Sequence, residues 1–340
     1  MHLRILVCAT LTALLPLTMS GPANATGADA LWPSRAASAA AGTRFVLAIS
    51  IDGLNPTALR RLGVARAPHL HRLAAGGSGT LNARTEVERT VTLPNHTGML
   101  TGRRVNRFRG GHGVWVNHDP GSTVQAAAGH PVRSVFDVVH HHGRRTGLFA
   151  SKAKFALFHR SWARSIDRFT VITDNARLVA AVRRDLTPHP RAFTFLHLSL
   201  PDEVGHAQGF MSPAYLQAVH RTDTRIGELM ATVNRSRRLR RHLTVVVTAD
   251  HGGLGAGHSR AGRIANYRVP FLVWGAGVAR GKNLYALSRT FRNPGPRRSS
   301  YAARPRPIRN GDVANLSTSL LGLPPVPGSE FDADQSLRVR

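Results

Sequence analysis

The chain has almost no cysteine. Its one thiol, Cys8, sits near the start of an N-terminal apolar run. The rest of the chain therefore has no disulfide, and any metal it binds must be held by carboxylates and imidazoles. Enzymes that make their nucleophile from cysteine, as many sulfatases do, are excluded. Lysine is nearly as scarce, with only Lys152, Lys154 and Lys282. The formal charge of +28 is thus an arginine charge, set against only 18 acidic residues. It has two readings: attraction to phosphorylated or anionic material and surfaces, or a compositional bias towards arginine. No nucleic-acid-binding motif accompanies it. No Gly-x-Ser-x-Gly elbow is present, which argues against a serine hydrolase. Long apolar runs are also missing. Ile5–Met19 is too short for a confident membrane span and nothing later replaces it, so no transmembrane segment is expected after signal removal.

That run has another explanation. Arg4, the apolar stretch and Ala23-Asn24-Ala25 together form the pattern of a secretory signal over residues 1–25, cleaved near Ala25. The expected location is secreted or extracellular. Residues 26–43 are rich in Ala, Gly and Ser and read as a flexible leader. Residues 44–340 are expected to form a single domain.

Strands and helices alternate through that region. Phe45–Ile51 reads as a buried strand ending at Asp52-Gly53. Residues 66–75 read as a helix, and a second helix starts at the Thr92 motif with Gly102 near its end. Residues 103–131 are Gly- and Arg-rich and read as a long active-site loop. Ser134–His142 is a short helix and Thr146–Ala150 a strand. Residues 175–186 are an amphipathic helix. Phe193–Leu200 is a strand leading into Asp202 and His206. Ser212 opens a helix of about twenty residues. Leu243–Thr248 is the most apolar strand and ends at Asp250-His251. Pro270–Trp274 is another strand, 292–308 an Arg- and Pro-rich loop, and Gly311–Leu321 the last helix. This pattern argues for an α/β fold with a mostly parallel central sheet and a site at the strand carboxyl ends.

Three of the few acids, Asp52, Asp202 and Asp250, follow three predicted buried strands. Carboxylates brought so close repel unless cations neutralise them. Asp and His together suit zinc, while carboxylates alone suit magnesium or calcium. Asp202-x-x-Gly205-His206 sets a carboxylate and an imidazole on one tight turn. No histidine follows His258, so a third imidazole from the C-terminal side has to be His258. Thr92 has an ordinary reading as a helix N-cap. Beside metals and a helix N-terminus it becomes a nucleophile.

In these motifs the chain resembles the alkaline phosphatase superfamily, in particular its type I phosphodiesterase/nucleotide pyrophosphatase branch. The matching residues are Ile51-Asp52-Gly53, Thr92-Leu93-Pro94-Asn95-His96, His112-Gly113 with Asn117, Asp202-x-x-Gly205-His206 and Asp250-His251-Gly252. The resemblance implies a three-layer, alkaline phosphatase-like sandwich. It implies two zinc ions per chain, or another divalent metal. One would be held by Asp52, Asp250, His251 and Thr92, and the other by Asp202, His206 and His258. It also implies a threonine nucleophile forming a covalent phosphothreonine, with Asn117 and the backbone N–H after Thr92 serving phosphate oxygens. The expected activity is hydrolysis of phosphoric esters, with diesters preferred. A phosphomonoesterase, or a non-catalytic polyanion-binding protein on the same scaffold, is the alternative.

Other readings stay open at single residues. Asp52, Asp202, Asp250 and His251 have turn or loop roles as alternatives, and His206 and His258 have exposure to solvent. Asn117 has the reading of a loop amide. His96 is expected to make a structural hydrogen bond. His140-His141-His142 reads as a solvated helix end. Lys152 and Lys154 are either substrate contacts or surface groups. Tyr215 and Asp223 read as packing and supporting residues.

Overall fold

The computed structural model describes residues 42–188 and 190–340. The expected signal and nearly all of the expected leader lie outside the described residues. Eight strands form one sheet. They are β1 (Phe45–Ile51), β2 (Ser78–Arg84), β3 (Thr146–Ala150), β4 (Arg168–Val171), β5 (Phe193–Leu198), β6 (Leu243–Thr248), β7 (Arg268–Gly275) and β8 (Lys282–Asn283). Their order is β4-β3-β5-β1-β6-β7-β2-β8. All run the same way except β7, which is antiparallel to both β6 and β2.

The four strands at the centre and left of this order are apolar because both of their faces are covered. Every residue of β1, β3, β5 and β6 is buried. One helical layer packs around Pro213–Arg235 and includes Pro56–Arg66, Pro68–Gly76, Asn175–Leu186 and Arg237–His242. The other layer contains Thr92–Thr101, Val135–His141 and Val313–Leu320, which pack on one another. This is the mostly parallel α/β sheet expected from the alternation of elements, set in the three layers that the resemblance implies.

Local chemistry sets the helix ends. Ser212 accepts from the Tyr215 N–H at the start of the longest helix, and Ser134 and Asp137 form a reciprocal capping box. Gly102 closes the Thr92 helix in the left-handed conformation, at φ 66°. The Arg- and Pro-rich loop is tied down by buried Arg84, whose guanidinium donates to the carbonyls of Gly295 and Arg297.

The structure corrects several expectations. Residues 56–66 form a helix that the sequence reading passed over. Pro56 fits its first turn, but the polar arginine-rich face hides the periodicity. The expected strand to Leu200 stops at Leu198, and Leu200 opens the helix Leu200–Gln208. Asp202 and His206 are therefore not on a tight turn. They lie one helical turn apart on the same face. The 103–131 loop contains a short helix, Val124–Ala128, capped by Thr123. Strand β2 and the edge strands β4 and β8 were missed, because none is fully buried and none carries a continuous apolar run.

At Gly77, just before β2, an added Cβ would lie 2.1 Å from the Val273 carbonyl oxygen. That oxygen and the Leu73 carbonyl oxygen, 3.0 Å from the same Cβ, are backbone atoms and cannot swing aside. Gly77→Ala should lower stability by about 2–3 kcal/mol; thermal denaturation will measure it, and an unchanged midpoint would contradict the close approach.

Candidate active site

The three central strands, β5-β1-β6, are neighbours and parallel, so their carboxyl ends open on one side of the sheet. Asp52 follows β1, Asp202 follows β5 in the first turn of its helix, and Asp250 follows β6. Strands lie about 4.8 Å apart, which brings side chains from three adjacent ends within reach of one another. His258 arrives by a different route. Because β7 is antiparallel to β6, the connection between them begins and ends on this same side. Its chain carries Asp250, His251 and His258 across the opening.

Two groups of ligand-type atoms result, each lying within 4.8 Å of one another. One is Asp52, Asp250 and His251, and the other is Asp202, His251 and His258. His251 Nε2 lies 3.4 Å from Asp52 Oδ1, 3.2 Å from Asp250 Oδ2 and 3.9 Å from Asp202 Oδ1. His206 joins the second group. Its Nε2 is 3.4 Å from Asp202 Oδ1 and 2.9 Å from His258 Nε2. The His251 and His258 rings stack nearly parallel, with centroids 3.5 Å apart. His206 is the one exposed member, with 51% of its side chain open to solvent.

The site passes a direct test for a cation. Asp52 Oδ1, Asp202 Oδ1, Asp250 Oδ2 and His251 Nε2 are buried and lack a hydrogen-bond partner. Four such orphans in one place would be costly unless an ion satisfied them. The imidazoles are oriented for that role. His251 Nδ1 is engaged by the Gly252 carbonyl and His258 Nδ1 by the Thr90 carbonyl, at 2.8 and 2.6 Å. Their Nε2 atoms are left to face the carboxylates. The mixed oxygen and nitrogen donor set suits zinc.

Electrostatics says the same. Burial lowers the pKa of His251, and burial with the nearby His251 lowers that of His258 to about 2, so both rings are neutral and able to ligate. Burial, with Asp52 and Asp202 beside it, pushes the Asp250 carboxyl well up. Burial would raise Asp52 too, but Lys152 and His197 more than offset it and hold Asp52 well below the usual range.

Lys152 is neither a surface group nor free to meet substrate. Its Nζ lies 2.6 Å from Asp52 Oδ2 and 2.6 Å from Asp202 Oδ2. Burial disfavours its charge, yet the two carboxylates raise its pKa. His197, on β5, reaches Asp52 Oδ2 at 3.0 Å and was not anticipated. A histidine inside the otherwise apolar Phe193–Leu198 was the available signal.

Thr92 is the first residue of its helix, and it is buried. The N-cap position belongs to Val91 and has no side-chain capping bond, so the capping reading of Thr92 fails. The motif is bound to the site from both sides. His96 Nδ1 meets the Thr92 carbonyl at 2.8 Å and stands 3.6 Å from Asp250 Oδ2. Its Nε2 meets Ser50 Oγ at 2.8 Å, the structural bond expected of it. Two residues before Thr92, the Thr90 hydroxyl donates to the His258 carbonyl.

Asn117 reaches the same helix start. The Leu93 N–H, the group after Thr92, donates to Asn117 Oδ1 at 3.0 Å instead of facing open space. Lys154 donates to the same oxygen at 3.2 Å and to the Asn117 carbonyl at 2.7 Å. What Asn117 has left to offer a ligand is its Nδ2 donor.

Supporting residues hold these turns. Tyr215 OH donates to the Gly53 carbonyl and accepts from the Asn55 N–H. Asn310 Nδ2 donates to the carbonyls of Ala249 and Asp250. Asp223 lies elsewhere, capping the N–H groups of His69 and Leu70.

The family described as type I phosphodiesterase/nucleotide pyrophosphatase matches residues 46–267. The chain belongs to this family. Human ectonucleotide pyrophosphatase/phosphodiesterase 5 shares the fold, with a TM-score of 0.61 over 85% of this chain and 99% of that one at 14% identity. Among curated proteins, a GPI ethanolamine phosphate transferase 1 of Neurospora crassa is 31% identical over 170 residues, 46% of this chain and 15% of its own length. The mouse protein of the same name is 27% identical over 158 residues, 46% of this chain and 16% of its own. The chain thus spans only a small part of these relatives.

His112, in the His112-Gly113 motif, is fully buried, and burial with Arg103 nearby lowers its pKa to about 3. A folded-state value below the unfolded one of about 6.5 stabilises above pH 6.5, and that stability is lost as pH falls towards 3. Between pH 7.5 and 4.5 the wild type should therefore lose about 2–3 kcal/mol more unfolding free energy than His112→Gln. Urea denaturation at the two pH values measures this, and parallel losses would refute it.

Proposed function

We propose that this chain is a secreted, zinc-dependent phosphoric ester hydrolase that uses Thr92 as its nucleophile and prefers diesters. The observation that carries the reading is the pair of carboxylate–imidazole groups, with four orphaned buried atoms, set against the helix that Thr92 opens. The family membership supports a phosphoric ester as substrate. Asp52, Asp250 and His251 would hold one ion, with Thr92 beside it, and Asp202, His206 and His258 the other. Bound there, two divalent ions would neutralise the entering and leaving oxygens of an in-line displacement.

The residues do the rest. Thr92 Oγ1 attacks phosphorus as the bond to the leaving oxygen breaks, giving a phosphothreonine. Water then cleaves that ester and restores the hydroxyl. The helix N-terminus favours negative charge at Thr92 by about 0.3–1 kcal/mol. Asn117, with its oxygen fixed by Leu93 and Lys154, presents Nδ2 to a non-bridging phosphate oxygen; such a donor is typically worth about 3 kcal/mol. Export rests on the signal-like residues 1–25. Among the described residues no helix is long and apolar enough to cross a membrane. The arginine excess favours attachment to anionic surfaces.

The relatives named ethanolamine phosphate transferases favour one variation, in which an alcohol rather than water takes the phosphoryl group from Thr92. Ester products formed in the presence of an added amino alcohol would reveal it.

Thr92→Ala should reduce turnover of bis-p-nitrophenyl phosphate roughly a thousandfold or more while keeping the wild-type circular dichroism spectrum. Unchanged turnover would remove Thr92 from the reaction. A faster wild-type rate on p-nitrophenyl phosphate than on the diester would reject the diester preference. Metal analysis of the active protein should return about two zinc per chain.

A further inference from the structure

Lys152 does something that neither the ligand set nor the nucleophile requires. It follows β3, and its neighbour Ser151 is fastened to β5 through His197, with Oγ 3.1 Å from both Nδ1 and the carbonyl oxygen. From that anchored base the side chain crosses to Asp52 at the end of β1 and to Asp202 on the helix after β5. These carboxylates belong to the two different half-sites.

The contacts divide each carboxylate. Oδ2 of Asp52 and Oδ2 of Asp202 are both taken by the ammonium, at 2.6 Å. Oδ1 of each is buried without a partner and faces His251. One cation thus removes one oxygen of each pair from competition and turns the other towards the imidazoles. With only 16% of its side chain exposed, Lys152 is poorly placed to trade this role for contact with solvent.

We propose that Lys152 is a built-in counter-cation: it keeps the two half-sites assembled in the absence of metal and restricts Asp52 and Asp202 to one ligating oxygen each. The proposal rests on the cation-site reading above. Three carboxylates gathered in one buried place cannot all ionise without compensation, and the Lys152 ammonium stands between two of them. Its neutral replacement must leave Asp52 and Asp202 repelling each other until external cations arrive. Lys152 is in this sense a positioning residue.

The test is thermal melting of full-length wild type, Lys152→Met and Lys152→Arg, after dialysis against a chelator and again with excess zinc. Metal-free Lys152→Met should melt roughly 5 °C or more below wild type. Zinc should raise its midpoint more than that of wild type and close at least half of the gap. Lys152→Arg should recover most of the metal-free midpoint. Equal metal-free midpoints for wild type and Lys152→Met would overturn the proposal, as would a gap of the same size with and without zinc, which marks simple packing. A zinc response in wild type with either of those results overturns this role alone. No zinc response in wild type would overturn the cation site and this proposal with it, whatever the hydrolysis assays return.

Discussion

Three carboxylates are buried within reach of one another, and the rest of the molecule answers that repulsion. Asp52, Asp202 and Asp250 are nearly solvent-free. Like charges in such surroundings cannot all ionise without compensation. The chain compensates unevenly. Asp52 receives Lys152 and His197. Asp250 receives backbone N–H groups from Gly53 and His251 on one oxygen only. The opposite shifts of Asp52 and Asp250 record that imbalance. It leaves a concentrated, directional demand for positive charge where neutral imidazoles already point.

Topology makes the crowding unavoidable. Three parallel neighbours in the middle of the sheet each end in an acid, and the single reversed strand returns His258 over the same opening. Polar clamps then stop the turns from relaxing outward. Tyr215 pins the turn after β1, Asn310 the one after β6, and His96 joins Ser50 of β1 to the helix that Thr92 opens. Their hydrogen bonds hold the acid-bearing turns against the sheet.

The sequence made the centre of this arrangement legible and its margins less so. Continuous apolar runs such as Leu243–Thr248 announce buried strands, and an acid just after each announces a site. Short motifs therefore pointed to Asp52, Asp202, His206, Asp250, His251 and His258, which the fold brings together. Edge strands and the arginine-rich helix at 56–66 lacked that contrast, because exposure dilutes periodicity. Contacts formed only by folding were hidden altogether. Nothing local says that Lys152 bridges Asp52 and Asp202, or that Asn117 takes up the Leu93 N–H. The arginine surplus was also undecided in sequence. Part of it is structural, since buried Arg84 and Arg309 serve as donors to loop carbonyls. Arginine keeps its charge and its fork of donors even when buried, which suits it to that work.

The pairing of Thr90 with His258 has a mechanical consequence. Two hydrogen bonds bolt the stretch entering the Thr92 helix to a loop 168 positions further along the chain. A pull on His258 is therefore delivered almost directly to the residue two places before Thr92. The start of the Thr92 helix and the loop that carries His258 are thereby held in register, although they are far apart in the chain.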